Sequence, residues 1–346
     1  MKQRRLTMGS MFTGMGGWEM SAKRSLKHAK KTKHFSKGVV HRFMCDWNKH
    51  CRGFLLQNFT VDQQHVYSDV WTLRVDDLPR VDFFGFSPSC VSYSVNGKGE
   101  GEQHNEGQVV WVALSYVAKK KPVMWAMEQV PQFKKFPIWG KVTRSLRRMN
   151  YYEWQEGCLS GDDHGGIPQT RSRLFVWGIL RVVSTGLVVP APLGACLDLK
   201  DLLDFDDEGS TDPLPTDNTG LPNLITSFVK ASQTGNPLED MYIFDIYSTK
   251  PSVHKGFFGT ITSSRASARG YFLSSLMRFT KLVELQRLMG MPDDLKWAGV
   301  SHRQRGGMIG NAIIVTVGER VVSSCLAALG SNWRDVLVAF ENRPHQ

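Results

Sequence analysis

Short apolar runs alternate with longer amphipathic stretches through the first half of the chain, a pattern that predicts strands separated by helices. Leu6 to Phe12 reads as a strand running into a glycine-rich turn, and Trp18 to His28 has the composition of the helix that follows. Val39 to Cys45 makes a second strand ending at Asp46, with Asn48 to Asn58 as its helix. A third short strand near His65–Tyr67 ends at Asp69, and Val81 to Gly85 makes a fourth. Val109 to Val117 supplies another helix, and Pro122 to Met127 a strand that delivers Glu128. Such alternation predicts an α/β fold with a doubly wound, mostly parallel, Rossmann-like sheet whose site lies along the edge where the strands end.

The period fades after Arg173–Ile179, and residues 181–257 become rich in Pro, Gly, Asp and Thr, with short β-prone pieces such as Met241–Phe244. Helical patterning returns at Lys281–Met289 and Ile313–Leu329. The expected organisation is a cofactor-binding and catalytic domain at 1–180, a smaller irregular domain at 181–257, and a segment at 258–346 that returns to the first. At 346 residues and 41% hydrophobic content the chain is long enough for two cores.

No apolar run approaches the roughly 20 residues of a membrane span, and Met1–Leu6 lacks the apolar stretch of a secretory signal. The expectation is a soluble intracellular protein, nuclear in a eukaryote and otherwise in the cytoplasm or nucleoid. Six cysteines without CxxC spacing favour neither a metal site nor a disulfide framework. Free thiols suit a nucleophile in a reducing compartment.

The net charge of +11 is uneven: residues 1–40 hold ten Lys or Arg against the single acid Glu19. That tract suits phosphate contact, a solvated helix face or nuclear import equally. Residues 263–305 form a second basic stretch, eight cations to three acids, with Arg265, Arg269, Arg303 and Arg305 as candidates to face nucleic acid. The acid-rich run from Asp198 to Asp217 should point away from phosphate.

Candidate chemistry gathers at the predicted strand ends. In Phe12-Thr13-Gly14-Met15-Gly16-Gly17 the glycines let the backbone approach a ligand and aim free amides at it. Asp46 is placed to accept both hydroxyls of a ribose, Trp47 offers a face to an adenine, and Asp69 can accept from an adenine amino group. Helix capping and core packing are the alternatives for each; together they favour an adenosine-bearing cofactor. Cys90 follows the fourth strand in Phe86-Ser87-Pro88-Ser89-Cys90-Val91-Ser92, and the glycine-rich stretch Ser92–Gly101 behind it has the composition of a moving lid, with Lys98 to meet a phosphate.

The ordered set resembles the C5 cytosine-specific DNA methyltransferases. The resemblance rests on the FxGxGG turn, Asp46-Trp47, Asn58-Phe59, the thiol loop at Cys90, Glu128-Gln129-Val130, Gln169-Thr170-Arg171-Ser172-Arg173, Glu284–Pro292 and Gly310-Asn311-Ala312. It implies S-adenosyl-L-methionine as methyl donor, held by Phe12, Gly14, Gly16, Gly17, Asp46, Trp47, Asp69 and Asn311. It further implies double-stranded DNA as partner, with Ser92 and Lys98 on the closing loop, and a target-recognition role for 181–257. Cys90 would add to carbon 6 of a flipped-out cytosine, Glu128 would hold ring N3 and the exocyclic amine, and Arg173 with Arg171 would hold the base carbonyl or a flanking phosphate. Three residues depart from the family pattern: Ser89 where proline usually precedes the thiol, Val91 where glutamine follows it, and Gln129 where asparagine follows the glutamate. The departures keep two other readings open, an RNA (tRNA) methyltransferase of the same fold and a catalytically silent nucleic-acid-binding homologue. A nicotinamide dehydrogenase is disfavoured by the glycine spacing.

Overall fold

The computed structural model describes residues 4–28, 34–36, 38–89, 93, 105–205 and 213–341. Cys90, Ser92 and Lys98, and with them the thiol and lid assignments, lie outside the described residues.

Seven strands form the main sheet in the order β3-β2-β1-β4-β5-β7-β6. They are β1 (Leu6–Met11), β2 (Val39–Cys45), β3 (Val66–Tyr67), β4 (Phe83–Phe86), β5 (Met124–Gln129), β6 (Tyr152–Ser160) and β7 (Ser172–Leu180). The central strands are buried on both faces, as parallel strands covered by crossover helices must be. Helices α1 (Gly17–His28), α2 (Lys49–Asn58), α3 (Asn105–Gln108), α4 (Val110–Lys120) and α5 (Pro137–Arg148) connect them. Asn48 starts α2 because its side-chain oxygen accepts the His50 N–H at 2.9 Å. The sheet is mostly parallel as expected, and β7 is its antiparallel member beside β5, with Glu128 opposite Phe175 and Gln129 opposite Leu174. Strand direction leaves no mark on an apolar run, so this reversal is invisible in the sequence. Its effect is to bring the beginning of β7, rather than its end, to the edge where β5 finishes.

The chain divides into two compact units at other places than the sequence suggests. The first is 1–159 with 172–192 and 315–346; the second is 160–171 with 193–314. Residues 258–314 thus group with the second unit, and the return to the first begins at Val315. There α11 (Val315–Ala327) packs on α1, where Ser21 Oγ donates to Val315 O at 3.0 Å and Arg24 pairs with Glu319 at 2.8 Å. The last helix, α12 (Trp333–Glu341), follows.

In the second unit, α6 (Gly161–Gly165) and α7 (Gly220–Ser232) precede an antiparallel sheet in the order β11-β10-β8-β9. Its strands are β8 (Tyr242–Asp245), β9 (Ser252–Lys255), β10 (Phe272–Leu273) and β11 (Arg278–Phe279). Leu224 and Ala231 of α7 join Tyr242, Phe244, Phe272 and Phe279 in its core. Helices α8 (Ser263–Ser267), α9 (Leu282–Arg287) and α10 (His302–Asn311) complete the unit. Gly306 and Gly310, one turn apart, let α10 lie against α8; a Cβ at Gly306 would fall 1.8 Å from Ala266 O. His302–Ala327 is apolar and long enough to pass for a membrane span by composition, yet it comprises two helices, α10 and α11, and its most apolar window is 61% buried.

Candidate active site

The turn after β1 is built for close approach. Phe12 adopts φ 55° and Gly16 φ 78°, both left-handed, and an added Cβ on Gly16 would sit 2.5 Å from the Phe59 ring. A phenylalanine in that region is strained, which is common at ligand sites. Thr13 fastens the turn to β2, its N–H donating to Cys45 O at 3.0 Å and its hydroxyl accepting the Cys45 N–H at 3.2 Å. Gly14, where an added Cβ would meet open space, donates its N–H to Asp46 at 2.7 Å.

Asp46 lies directly past β2 and is 8% exposed. It also accepts the Asn48 N–H at 2.9 Å, and burial holds its carboxyl above the usual range against those hydrogen bonds. A carboxylate has about four acceptor positions, so two backbone bonds leave room for the hydroxyls of a ribose. Trp47 is 82% exposed, a bare indole next to the carboxylate. Asp69, past β3, accepts the Trp71 N–H at 2.9 Å and is otherwise open to solvent. The open face at Gly14, the part-satisfied Asp46 and the bare Trp47 fit an adenosine group, and all belong to the first unit. Gly17 opens α1 and is buried. Asn311 ends α10 in the second unit and is exposed.

Beneath the turn lies a group the motifs do not reveal. Glu19 of α1 is fully buried, with Ser10 Oγ 2.5 Å from one carboxyl oxygen and that hydroxyl 2.8 Å from Thr13 Oγ1. Its other oxygen has no hydrogen-bond partner among the described residues. Burial pushes the carboxyl up to about 7, against the opposing pull of the Ser10 hydroxyl. An ordinary carboxyl titrates near 4.5, so its stabilising protonated form is fully present below that pH and is lost as pH rises through about 7. Glu19→Gln should therefore raise stability at about pH 8 by on the order of 2 kcal/mol and flatten the decline between about pH 5 and 7, read from thermal melts across pH. A wild-type melt that does not change across that interval would refute the buried proton.

Where β5 ends and β7 begins, the chain places a carboxylate beside a cation. Glu128, next to last in β5, is 8% exposed, and Arg173 Nε lies 3.3 Å from its Oε1. The pair follows from register: Glu128 faces Phe175, and Arg173, two residues back on β7, shares that face and reaches diagonally. Gln129 braces the thiol loop, its Nε2 donating to Pro88 O at 3.1 Å and Ser89 O at 3.2 Å while its Oε1 accepts the Val130 N–H at 2.8 Å. Gln129→Ala should cost about 1–3 kcal/mol of stability and reduce turnover with little change in cofactor affinity. Turnover equal to that of the wild type would show the brace to be dispensable. The loop is also tied to α1: Trp18 Nε1 donates to Ser87 Oγ at 3.1 Å, and its ring occupies the space a side chain at Gly85 would fill, 2.6 Å from an added Cβ. Cys45, Cys51 and Cys325 are buried in surroundings that raise them, Cys45 to about 12, which keeps these three protonated at neutral pH.

Arg171 departs from its expected role. It is 4% exposed and donates to Ile261 O at 2.7 Å, Gly310 O at 3.1 Å and Ala312 O at 2.9 Å, so its guanidinium holds the second unit's backbone together. Three of the four arginines expected on the nucleic acid also have internal partners. Arg265 pairs with Asp245 at 2.6 Å, Arg269 lies over the Phe279 ring at 5.4 Å, and Arg305 donates to Val300 O and Trp297 O. Arg303 is exposed. Of the acidic run, Asp204 pairs with Arg287 and Lys281, and Asp217 accepts the Thr219 and Gly220 N–H groups at the start of α7.

A mostly parallel sheet with a glycine turn after β1 and a buried aspartate after β2, and a braced loop beside a glutamate–arginine pair farther along the same edge, fits an enzyme that holds a nucleotide-like cofactor. The chain belongs to the C-5 cytosine-specific DNA methylase family, whose pattern matches residues 6–327. Members of that family use S-adenosylmethionine as methyl donor. The chain is similar to the Type II methyltransferase M.HhaI of Haemophilus parahaemolyticus, 22% identical over 318 residues, 89% of this chain and 90% of that protein. It is 24% identical to the Type II methyltransferase M.Bsp6I of Bacillus sp. (strain RFL6) over 207 residues, 59% of this chain and 62% of that protein. In fold it is similar to the Entamoeba histolytica methyltransferase EhMeth (TM-score 0.67, 15% identity, 94% of this chain and 99% of that one) and to the S. pombe Dnmt2 methyltransferase (TM-score 0.64, 18% identity, 93% and 99%).

Proposed function

We propose that this protein is a DNA cytosine-5 methyltransferase that acts on a cytosine flipped out of duplex DNA. The observation that carries the reading is the Glu128–Arg173 pair beside the loop braced by Gln129, on the sheet edge that bears Asp46 and the glycine turn. Bound S-adenosylmethionine supplies an electrophilic methyl group on its sulfonium. Asp46 accepts from the ribose hydroxyls and Trp47 covers the adenine, so the first unit holds and orients the donor. Glu128 hydrogen-bonds ring N3 and the exocyclic amine, placing a proton where negative charge gathers as the Cys90 thiolate adds to carbon 6. Once the methyl has passed to carbon 5, the electrons of its bond to the sulfonium returning to sulfur, loss of the carbon 5 proton to water would expel Cys90 and restore the ring. Arg173 holds Glu128 in place and offers its remaining N–H groups to the base carbonyl. Flipping costs roughly a few kcal/mol, which contacts from the loop after Cys90, Ser92 and Lys98 among them, would offset.

Duplex DNA carrying 5-fluorocytosine tests this directly, because the fluorine blocks the final proton loss. Wild type should form a denaturant-stable adduct in the presence of the methyl donor, and Cys90→Ser should not. Parallel assays with labelled donor on duplex DNA and on tRNA decide the substrate. Methyl transfer to tRNA alone would replace the DNA reading with the RNA one, and a protein that binds duplex DNA without ever forming an adduct would be a silent homologue.

A further inference from the structure

Residues 129–152 hold six Lys or Arg and no acid. Most of them lie on α5, which buries Ile138, Val142 and Leu146 and turns Lys141, Arg144, Arg147 and Arg148 outward. Like charges three and four residues apart repel by a few tenths of a kcal/mol each. Cations in a last helical turn are favoured by the helix dipole, which accounts for Arg147 and Arg148 but not for Arg144 a turn earlier. Nor does it account for what adjoins them.

The end of α4, Lys119-Lys120-Lys121, is drawn to the end of α5 through Tyr151, whose hydroxyl donates to Ala118 O at 3.2 Å and whose ring lies under Lys121 Nζ at 5.0 Å. Arg181, directly after β7, donates to Asn150 O at 2.8 Å. The acids close by are already engaged: Asp76 pairs with Lys119 at 3.0 Å, and Glu153 accepts from Ser184 Oγ and the Leu187 N–H. Arg144, Arg147 and Arg148 have no ion-pair partner among the described residues. This cluster sits where β5 and β6 begin and β7 ends, the sheet edge opposite Glu128. At about 3.3 Å per residue, β5 separates the two edges by roughly 20 Å.

We propose that this edge is a second phosphate-binding surface, which holds a stretch of nucleic-acid backbone other than the one presenting the target base. The proposal rests on the nucleic-acid substrate argued above and extends it to long or folded molecules, since a short duplex at the catalytic edge ends before reaching this one. Lysines and arginines without a companion set of base-reading groups bind phosphate irrespective of sequence. An anionic membrane is disfavoured because no exposed Trp, Phe or Leu lies on α4, α5 or the Tyr151 turn to enter the lipid boundary.

The test compares wild type with the triple variant Arg144→Gln, Arg147→Gln, Arg148→Gln and its charge-keeping counterpart with lysine at all three positions, each checked by thermal melt. Binding is measured by fluorescence anisotropy on a long non-specific duplex across a salt series, and methylation on a duplex barely longer than the target site. The glutamine variant should bind the long duplex roughly tenfold more weakly at low salt and lose roughly 2–3 from the logarithmic salt slope. Its kcat and KM on the short duplex should equal those of wild type, and the lysine variant should bind as wild type does. Unchanged affinity and slope in the glutamine variant would overturn this surface while leaving the catalytic reading intact; wild type that binds no nucleic acid would overturn both. Loss of binding to phosphatidylserine vesicles, with nucleic-acid binding unaltered, would assign the patch to membranes instead.

Discussion

Glu128→Gln is expected to lower the single-turnover rate of methyl transfer by about 10²–10⁴-fold, the usual contribution of a positioned acid–base group. Glutamine keeps the shape of the side chain but can neither exchange a proton with the ring nor carry the charge that Arg173 meets at 3.3 Å. Donor binding should not change, because Asp46, Trp47 and the glycine turn lie on other strands. Equilibrium binding of S-adenosylmethionine together with a single-turnover assay separates the two effects. A variant as fast as wild type would remove Glu128 from the chemistry, whatever its place beside the loop.

Arg171→Ala is expected to have the second large effect, and on stability rather than rate. Its removal strands Ile261 O, Gly310 O and Ala312 O in a buried setting, at about 1–3 kcal/mol for each carbonyl that water does not reach, or about 3–5 kcal/mol in sum. Chemical denaturation should report this as a lower midpoint. Arg173→Ala, by contrast, breaks one ion pair rather than three carbonyl bonds, so it should lower the midpoint less and act mainly on turnover. If the two variants showed the reverse pattern, the structural and catalytic assignments of the two arginines would have to be exchanged.

That contrast is not written in the residues alone. Arg171 and Arg173 stand two apart in one motif, and nothing in the spacing distinguishes a guanidinium spent on three carbonyls from one held against a carboxylate. β2 is legible to the residue, Val39–Cys45, because its β-branched and apolar positions stop at Asp46, where the chain turns into α2. α5 is not, because its cations hide the stripe of Ile138, Val142 and Leu146. The helix α7 is obscured by Gly220 and Pro222 in its first turn, although Leu224, Phe228 and Ala231 supply the spacing. The division into units escapes sequence reading because residues 160–171 join a body whose remaining parts lie beyond residue 192. Arg265 and Arg305 show the limit of counting charge, since a count cannot see the Asp245 carboxylate or the Trp297 carbonyl that occupies each guanidinium. Glu19 did leave a trace: a lone acid between Trp18 and Met20, in an otherwise basic amino-terminal tract, is out of place on a solvated face.

The indole of Trp18 resting in the gap left by Gly85 ties two inherited positions into one. Neither is free to drift separately: bulk gained on the strand would evict the ring, and a smaller ring would leave a hole beneath the reactive loop. A double-mutant cycle across the pair should therefore be far from additive, and lineages that alter one of them should be found to have altered the other.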